Sequence, residues 1–207
     1  MTSFLRANAL VVVSAVLALN LASCTPDVLE NDASNTVIVI NSMQGASLSA
    51  DGAPLDELES DVCVNDSFLE GTCAVAADFG LVEMSAVLKN QDQLTSTFLN
   101  DVTFTSYRVN YIRADGRNTP GVDVPFPFDG ATNFTVIANG GSVARGFVIV
   151  RTQAKLERPL ANLAFLGGAV VLSVIAEVEF FGTDGGGRAI SAEGFLNIQF
   201  ADFAFAG

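Results

Sequence analysis

The chain carries 23 Asp and Glu and no His, so any chemistry it performs must come from carboxylates, hydroxyls, amides and a few basic groups. Without His it lacks the side chain whose ordinary pKa falls roughly between pH 5 and 8. Ser-His-Asp and Cys-His nucleophile arrangements and most zinc or copper sites are excluded with it. Two groupings could still act. Asp115, Asn118, Asp123 and Asp129 lie in a turn-rich stretch and offer oxygen ligands of the kind calcium takes, about six to eight at a time. Their spacing is not that of an EF-hand loop and no Glu closes it. Turn chemistry accounts for Asp115-Gly116 and Asp129-Gly130 without an ion. Glu177 and Glu179 share one face of a strand-like run, and Glu193 falls on the next run. Paired carboxylates can serve as acid and base in glycoside hydrolysis; alternating acidic residues are also what the wet face of an antiparallel sheet looks like. Gly185-Gly186-Gly187 lies between strand-like runs rather than before a helix and has no Lys beside it, so a hairpin tip is expected and not a phosphate loop. The residues predict no catalytic site and no cofactor, with calcium as the one ion their chemistry would suit.

The first 24 residues carry a processing signal. They read MTSFLRANALVVVSAVLALNLASC, with Arg6 as the only positive charge before an apolar stretch from Ala9 to Leu19. An apolar core of about 7 to 15 residues belongs to an export signal, whereas a membrane span needs about 20. Leu21-Ala22-Ser23-Cys24 resembles the lipobox of bacterial lipoproteins. That resemblance implies removal of residues 1–23, a diacylglyceryl group on the Cys24 thiol and a further palmitate-like chain on the new amino terminus. Several chains anchor stably where one does not. Thr25, in place of Asp after the cysteine, implies sorting to the outer membrane. With Cys24 acylated, Cys63 and Cys73 remain, and an even pair in an exported domain reads as a disulfide. Closing a loop of this size would stabilise by about 3 kcal/mol in the chain-entropy picture. Through Tyr111–Gly130, Thr152–Leu160 and Ala176–Arg188 the mature part also resembles uncharacterised exported bacterial lipoproteins, which implies no activity.

Composition narrows the partners. Half the residues are hydrophobic and 16% are charged, enough apolar surface for a core and too little charge for global disorder. Removing the leader takes Arg6 away and leaves nine basic residues against 23 acidic, a net charge of −14. Nucleic acid is excluded as a partner, because phosphate binding needs a cationic footprint. There is no Trp and there are two Tyr, so a flat platform for sugars or bases would have to come from Phe alone.

Residues 24–35, acylated at Cys24 and otherwise polar and acidic, suit a tether, and residues 36–207 suit one domain. Thr36 to Ile40 is a β-branched first strand. Residues 42–78 lack sustained periodicity and should hold short strands or a disulfide-stapled excursion. Alternation returns from Leu81 to Leu88 and from Val102 to Arg113. In the latter, Val102 and Phe104 occupy one phase and Tyr107, Val109 and Tyr111 the other, which predicts a bulge or a change of sheet. Pro120, Pro125 and Pro127 make residues 113–130 an extended surface crossing. Asn133–Ala138 and Val143–Arg151 flank Asn139-Gly140-Gly141, a hairpin signal. Leu156–Leu166 has helix-like spacing. Val170–Phe180 and Ile190–Phe200 form a long final hairpin around Gly182–Gly187. About seven strands and little helix predict an all-β antiparallel sandwich, immunoglobulin-like or fibronectin-like, with an up-and-down barrel as the alternative. The expected function is a lipid-anchored interaction or structural module of the cell envelope, not an enzyme, with an envelope protein as partner. A calcium- or small-ligand-binding module is the second reading and a carboxylate-dependent hydrolase the third.

Overall fold

Period-two alternation governs the architecture. The computed structural model describes residues 34–46, 55–63, 65–67, 72–90, 96–166 and 168–203; the signal, Cys24 and the tether before Ser34 lie outside the described residues. The strands are β1 (Thr36–Ala46), β2 (Glu57–Asp61), β3 (Asn65–Ser67), β4 (Thr72–Ala74), β5 (Asp78–Leu88), β6 (Val102–Ile112), β7 (Phe128–Val136), β8 (Ser142–Val150), β9 (Leu172–Asp184) and β10 (Ala189–Ala201). They form a three-stranded sheet β1-β5-β8, a five-stranded sheet β2-β10-β9-β6-β7 and a ribbon β3-β4. The protein is all-β. Its pairings are antiparallel except β2 on β10, which is parallel, so the expectation of a purely antiparallel domain is corrected at that edge. Among the described residues of 42–78, β1 runs on to Ala46 and the short strands β2, β3 and β4 follow before β5, a stapled excursion with short strands.

The core lies between the two larger sheets. Val82, Met84, Ala86 and Leu88 of β5, with Phe147 and Ile149 of β8, face the even-numbered residues of β9 and β10. Phe180 is its centre. Its ring lies 5.2 Å from Phe147 of the opposite sheet and 5.7 Å from Tyr107 of its own, centroid to centroid. Phe104 and Phe134 complete the cluster at 6.2 and 6.3 Å.

The phase change in β6 is a bulge. Phe104 pairs with Gly182 and Ser106 with Phe181, so Thr105 is an extra residue against β9. Val102, Phe104, Tyr107, Val109 and Tyr111 are then all buried. Gly182 is required here: a Cβ at that position would collide with the Thr103 carbonyl oxygen and the Phe104 backbone. The expected turn from Gly182 is therefore shorter, and β9 runs on to Asp184.

Asn139-Gly140-Gly141 turns the chain but makes no hairpin. Asn139 and Gly141 adopt φ of 56° and 99°, as such a turn requires. Yet β7 pairs with β6 and β8 with β5. The turn carries the chain from one sheet to the other, and the Asn139 N–H donates to the Ala86 carbonyl at 2.8 Å. The helical expectation over 156–166 is also redistributed. α1 spans Thr152–Leu156 and a 3-10 turn follows at Leu160–Asn162. Pro159 stands between them, and a residue before proline is disfavoured in helix.

Phe180→Ala should cost about 3 to 5 kcal/mol, read as a lower denaturation midpoint at unchanged slope. A loss under about 1 kcal/mol would show that the rings do not join the sheets.

Candidate functional site

Strand directions sort the connections into two poles. Ser34, residues 89, 90 and 96–101, the 137–141 turn and the 184–188 turn share the entry pole, where the described chain begins. The β3-β4 ribbon, the 113–127 crossing and residues 151–166 and 168–171 share the far pole.

At the entry pole Asp184 gathers the turn. Its side chain is 1% exposed; Oδ2 accepts from the Ser34 hydroxyl at 2.8 Å, and Oδ1 from the backbone N–H groups of Gly186 and Arg188, both at 2.9 Å. Burial alone would raise its pKa; the hydrogen bonds from Arg188, Ser34 and Gly186 and the Arg188 charge hold it below the ordinary carboxylate value. The Thr36 hydroxyl donates to the Asn100 carbonyl at 2.9 Å. These bonds fasten the start of β1 to the pole. Beside them Phe98, Leu99 and Ile137 are 75%, 47% and 56% exposed. The far pole exposes large apolar side chains as well, Val122, Phe126 and Leu156 among them.

At the far pole Cys63 and Cys73 are bonded, with Cα atoms 5.3 Å apart. The 113–127 crossing is organised by ion pairs. Asp115 meets Arg113 at 2.6 Å and Arg117 at 2.9 Å, and these hydrogen bonds, the Arg117 backbone N–H foremost, lower its pKa to about 2. Asn118 Oδ1 accepts from the Arg113 N–H at 2.7 Å, and Asp123 Oδ2 from the Thr119 N–H at 3.3 Å. Asp129 lies on β7, paired with Arg108 at 2.8 Å. The four residues considered for calcium thus each have a partner within the chain, Asp115 and Asn118 sharing Arg113. No group of three or more His, Cys, Asp and Glu suited to a metal ion occurs among the described residues.

The outer face of the five-stranded sheet carries the acidic pairs. Register places Asp129, Arg108, Glu179 and Glu193 in one row across β7, β6, β9 and β10. The next row holds Asn110, Glu177 and Phe195, and Asn110 donates to Glu177 at 3.0 Å. A shallow open groove of 240 Å³ lies over Arg108, Asn110, Glu177, Glu179 and Glu193. Glu193 titrates above its ordinary value, chiefly through a hydrogen bond with Glu177, then burial and the charges of Glu177 and Glu179.

Sequence reasoning missed the buried polar residues. Lys155, Asp78 and Ser60 meet beneath the far pole, with the Lys155 amine 3.0 Å from Asp78 Oδ2. Asp202 is buried too, and neither of its carboxylate oxygens has a hydrogen-bond partner among the described residues. The available signal was an acid inside an apolar run: Ala74-Val75-Ala76-Ala77 precedes Asp78, and Phe200-Ala201 precedes Asp202. Comparison of the chain with known protein families, characterised proteins and solved structures gives no match.

Two titrations test this geometry. The folded-state pKa of Asp184 is depressed, so its contribution is present above the unfolded value of about 3.9 and lost as pH falls through the lower folded value. Asp184→Asn should flatten that acid loss in melts between about pH 4 and 2; an unchanged acid limb would refute the assignment. In NMR titration Glu177→Gln should bring Glu193 back toward its ordinary value, and no movement would deny that Glu177 is what raises it.

Proposed function

We propose that the protein is a lipid-anchored, non-enzymatic module of the cell envelope, held at Cys24 with its entry pole toward the outer membrane and its far pole toward an envelope protein partner. One observation carries this reading. The described chain begins at the pole where Phe98, Leu99 and Ile137 are exposed, so an anchor at Cys24 would bring these side chains, and not the exposed Val122, Phe126 and Leu156 of the opposite pole, next to the membrane. About ten residues of polar tether between Cys24 and Ser34 would hold this pole against lipid, and side chains of this kind gain about 25 cal/mol per Å² on leaving water. Recognition then falls to far-pole loops on a rigid scaffold, the usual place for it.

We read the two large sheets as the faces of a β-sandwich in the immunoglobulin-like or fibronectin-like manner. The Phe147–Phe180 contact across the sheets and the crossing from β7 to β8 support it.

Cys24→Ser should release the protein from the membrane fraction and abolish labelling by fatty-acid probes. Unchanged labelling and fractionation would contradict the anchor. With the anchor intact, deleting residues 115–123 should abolish crosslinking to a partner on whole cells while a melt shows the core folded. Glu177→Gln with Glu179→Gln should leave crosslinking unchanged and alter stability by no more than about 0.5 kcal/mol. Hydrolysis of glycan or peptide that the Gln pair abolishes would replace the module reading with an enzyme.

A further inference from the structure

Lys155, one of two lysines in the chain, has a side chain with no exposed surface. Its amine lies 3.0 Å from Asp78 Oδ2 and 3.1 Å from Oδ1, and donates to the Asp61 carbonyl at 2.7 Å. The Ser60 hydroxyl donates to Asp78 Oδ2. Helix α1 and strands β2 and β5 thus converge on one carboxyl group. Tyr111 lies over the same region, 1% exposed, with its hydroxyl on the Ile149 carbonyl at 2.7 Å and its ring 6.4 Å from Phe200.

An ammonium and a carboxylate taken out of water each carry a desolvation cost of several kcal/mol. Moving one proton from nitrogen to oxygen removes both charges. Burial pushes the Asp78 carboxyl up from its ordinary value, against the opposing pull of Lys155 and Ser60, and the nearby Asp61 charge adds to the rise. With both oxygens of the carboxyl group at hydrogen-bond distance from the amine, the two groups are held together as neighbours, and such groups react at an effective concentration far beyond that of free amines.

We propose that the folded chain joins Lys155 to Asp78 through an intramolecular amide bond. The Lys155 ammonium gives one proton to Asp78, leaving an amine and a carboxylic acid. The Nζ lone pair attacks Cγ and forms the N–C bond. Negative charge develops on Oδ2, where the Ser60 hydroxyl is already hydrogen-bonded, in the manner of an oxyanion donor. The nitrogen gives up a proton and the Oδ1 hydroxyl takes one, the C–Oδ1 bond breaks, and water leaves. Oδ2 remains as the amide carbonyl. One amide and one water form from one amine and one acid, and no co-reactant is used.

The bond would close a loop across residues 77 apart in sequence and lock α1 to β5 under the loops of the far pole. It is independent of the anchor. Cysteine-reduced, full-length protein from membranes should yield, on proteolysis and tandem mass spectrometry, a branched peptide containing Lys155 and Asp78, lighter than the two separate peptides by the mass of one water. Lys155→Arg and Asp78→Ala should each abolish the branch. Ser60→Ala, which removes the hydroxyl from Oδ2, should reduce the branched fraction at least tenfold while circular dichroism stays that of the β domain. Recovery of Lys155 and Asp78 in separate, unmodified peptides from folded wild-type protein would overturn the proposal, and an undiminished branch in Ser60→Ala would overturn the step as written.

Discussion

A single extra residue, Thr105, sets how the five-stranded sheet divides inside from outside. β6 lies between β7 and β9, and its sequence changes phase halfway. Without the bulge a one-residue slip would send one half of its apolar residues to solvent. With it, Val102 and Phe104 join Tyr107, Val109 and Tyr111 in one core. The same shift turns Arg108 and Asn110 outward, in register with Glu179 and Glu177. Core and charged face follow from one backbone irregularity, and Gly182 on β9 is the residue that leaves it room.

The poles differ in how they treat buried charge. At the entry pole Asp184 stays ionised because backbone N–H groups, a hydroxyl and an arginine all address it. Such a carboxylate fixes a turn without needing a salt-bridge partner in the core. At the far pole Asp78 has lost water and faces a lysine that has lost it too. Breaking a buried pair by removing one partner is strongly destabilising, so both sites hold connections in place: the start of β1 at one end, α1 at the other.

Much of the strand pattern was legible in the sequence, because a half-buried strand must alternate. β9 and β10 alternate without a break, and even the bulge in β6 was visible as a change of phase. Pairing was less legible. Asn139-Gly140-Gly141 has the residues a hairpin turn demands, but turn chemistry is local and does not say which strand receives the chain; β8 goes to β5. The parallel pairing of β2 with β10 joins Glu57 to Asn197, and no short-range signal carries that distance. Charged residues read as solvated by default, so Lys155, Asp78 and Asp184 went unremarked. The acidic rows on the outer face were legible since Glu177 and Glu179 share a phase. Their convergence with Arg108 needed the register of three strands.

The orientation of the domain on the membrane is the centre of the account, and the absence of Trp makes it measurable. An indole introduced by Phe98→Trp at the entry pole, or by Val122→Trp at the far pole, would be the only one in the chain. Each lipidated variant, placed on vesicles whose acyl chains carry bromine, reports contact with the bilayer by fluorescence quenching. The account predicts strong quenching for Phe98→Trp and none for Val122→Trp. Equal quenching at both positions, or quenching at 122 alone, would contradict it.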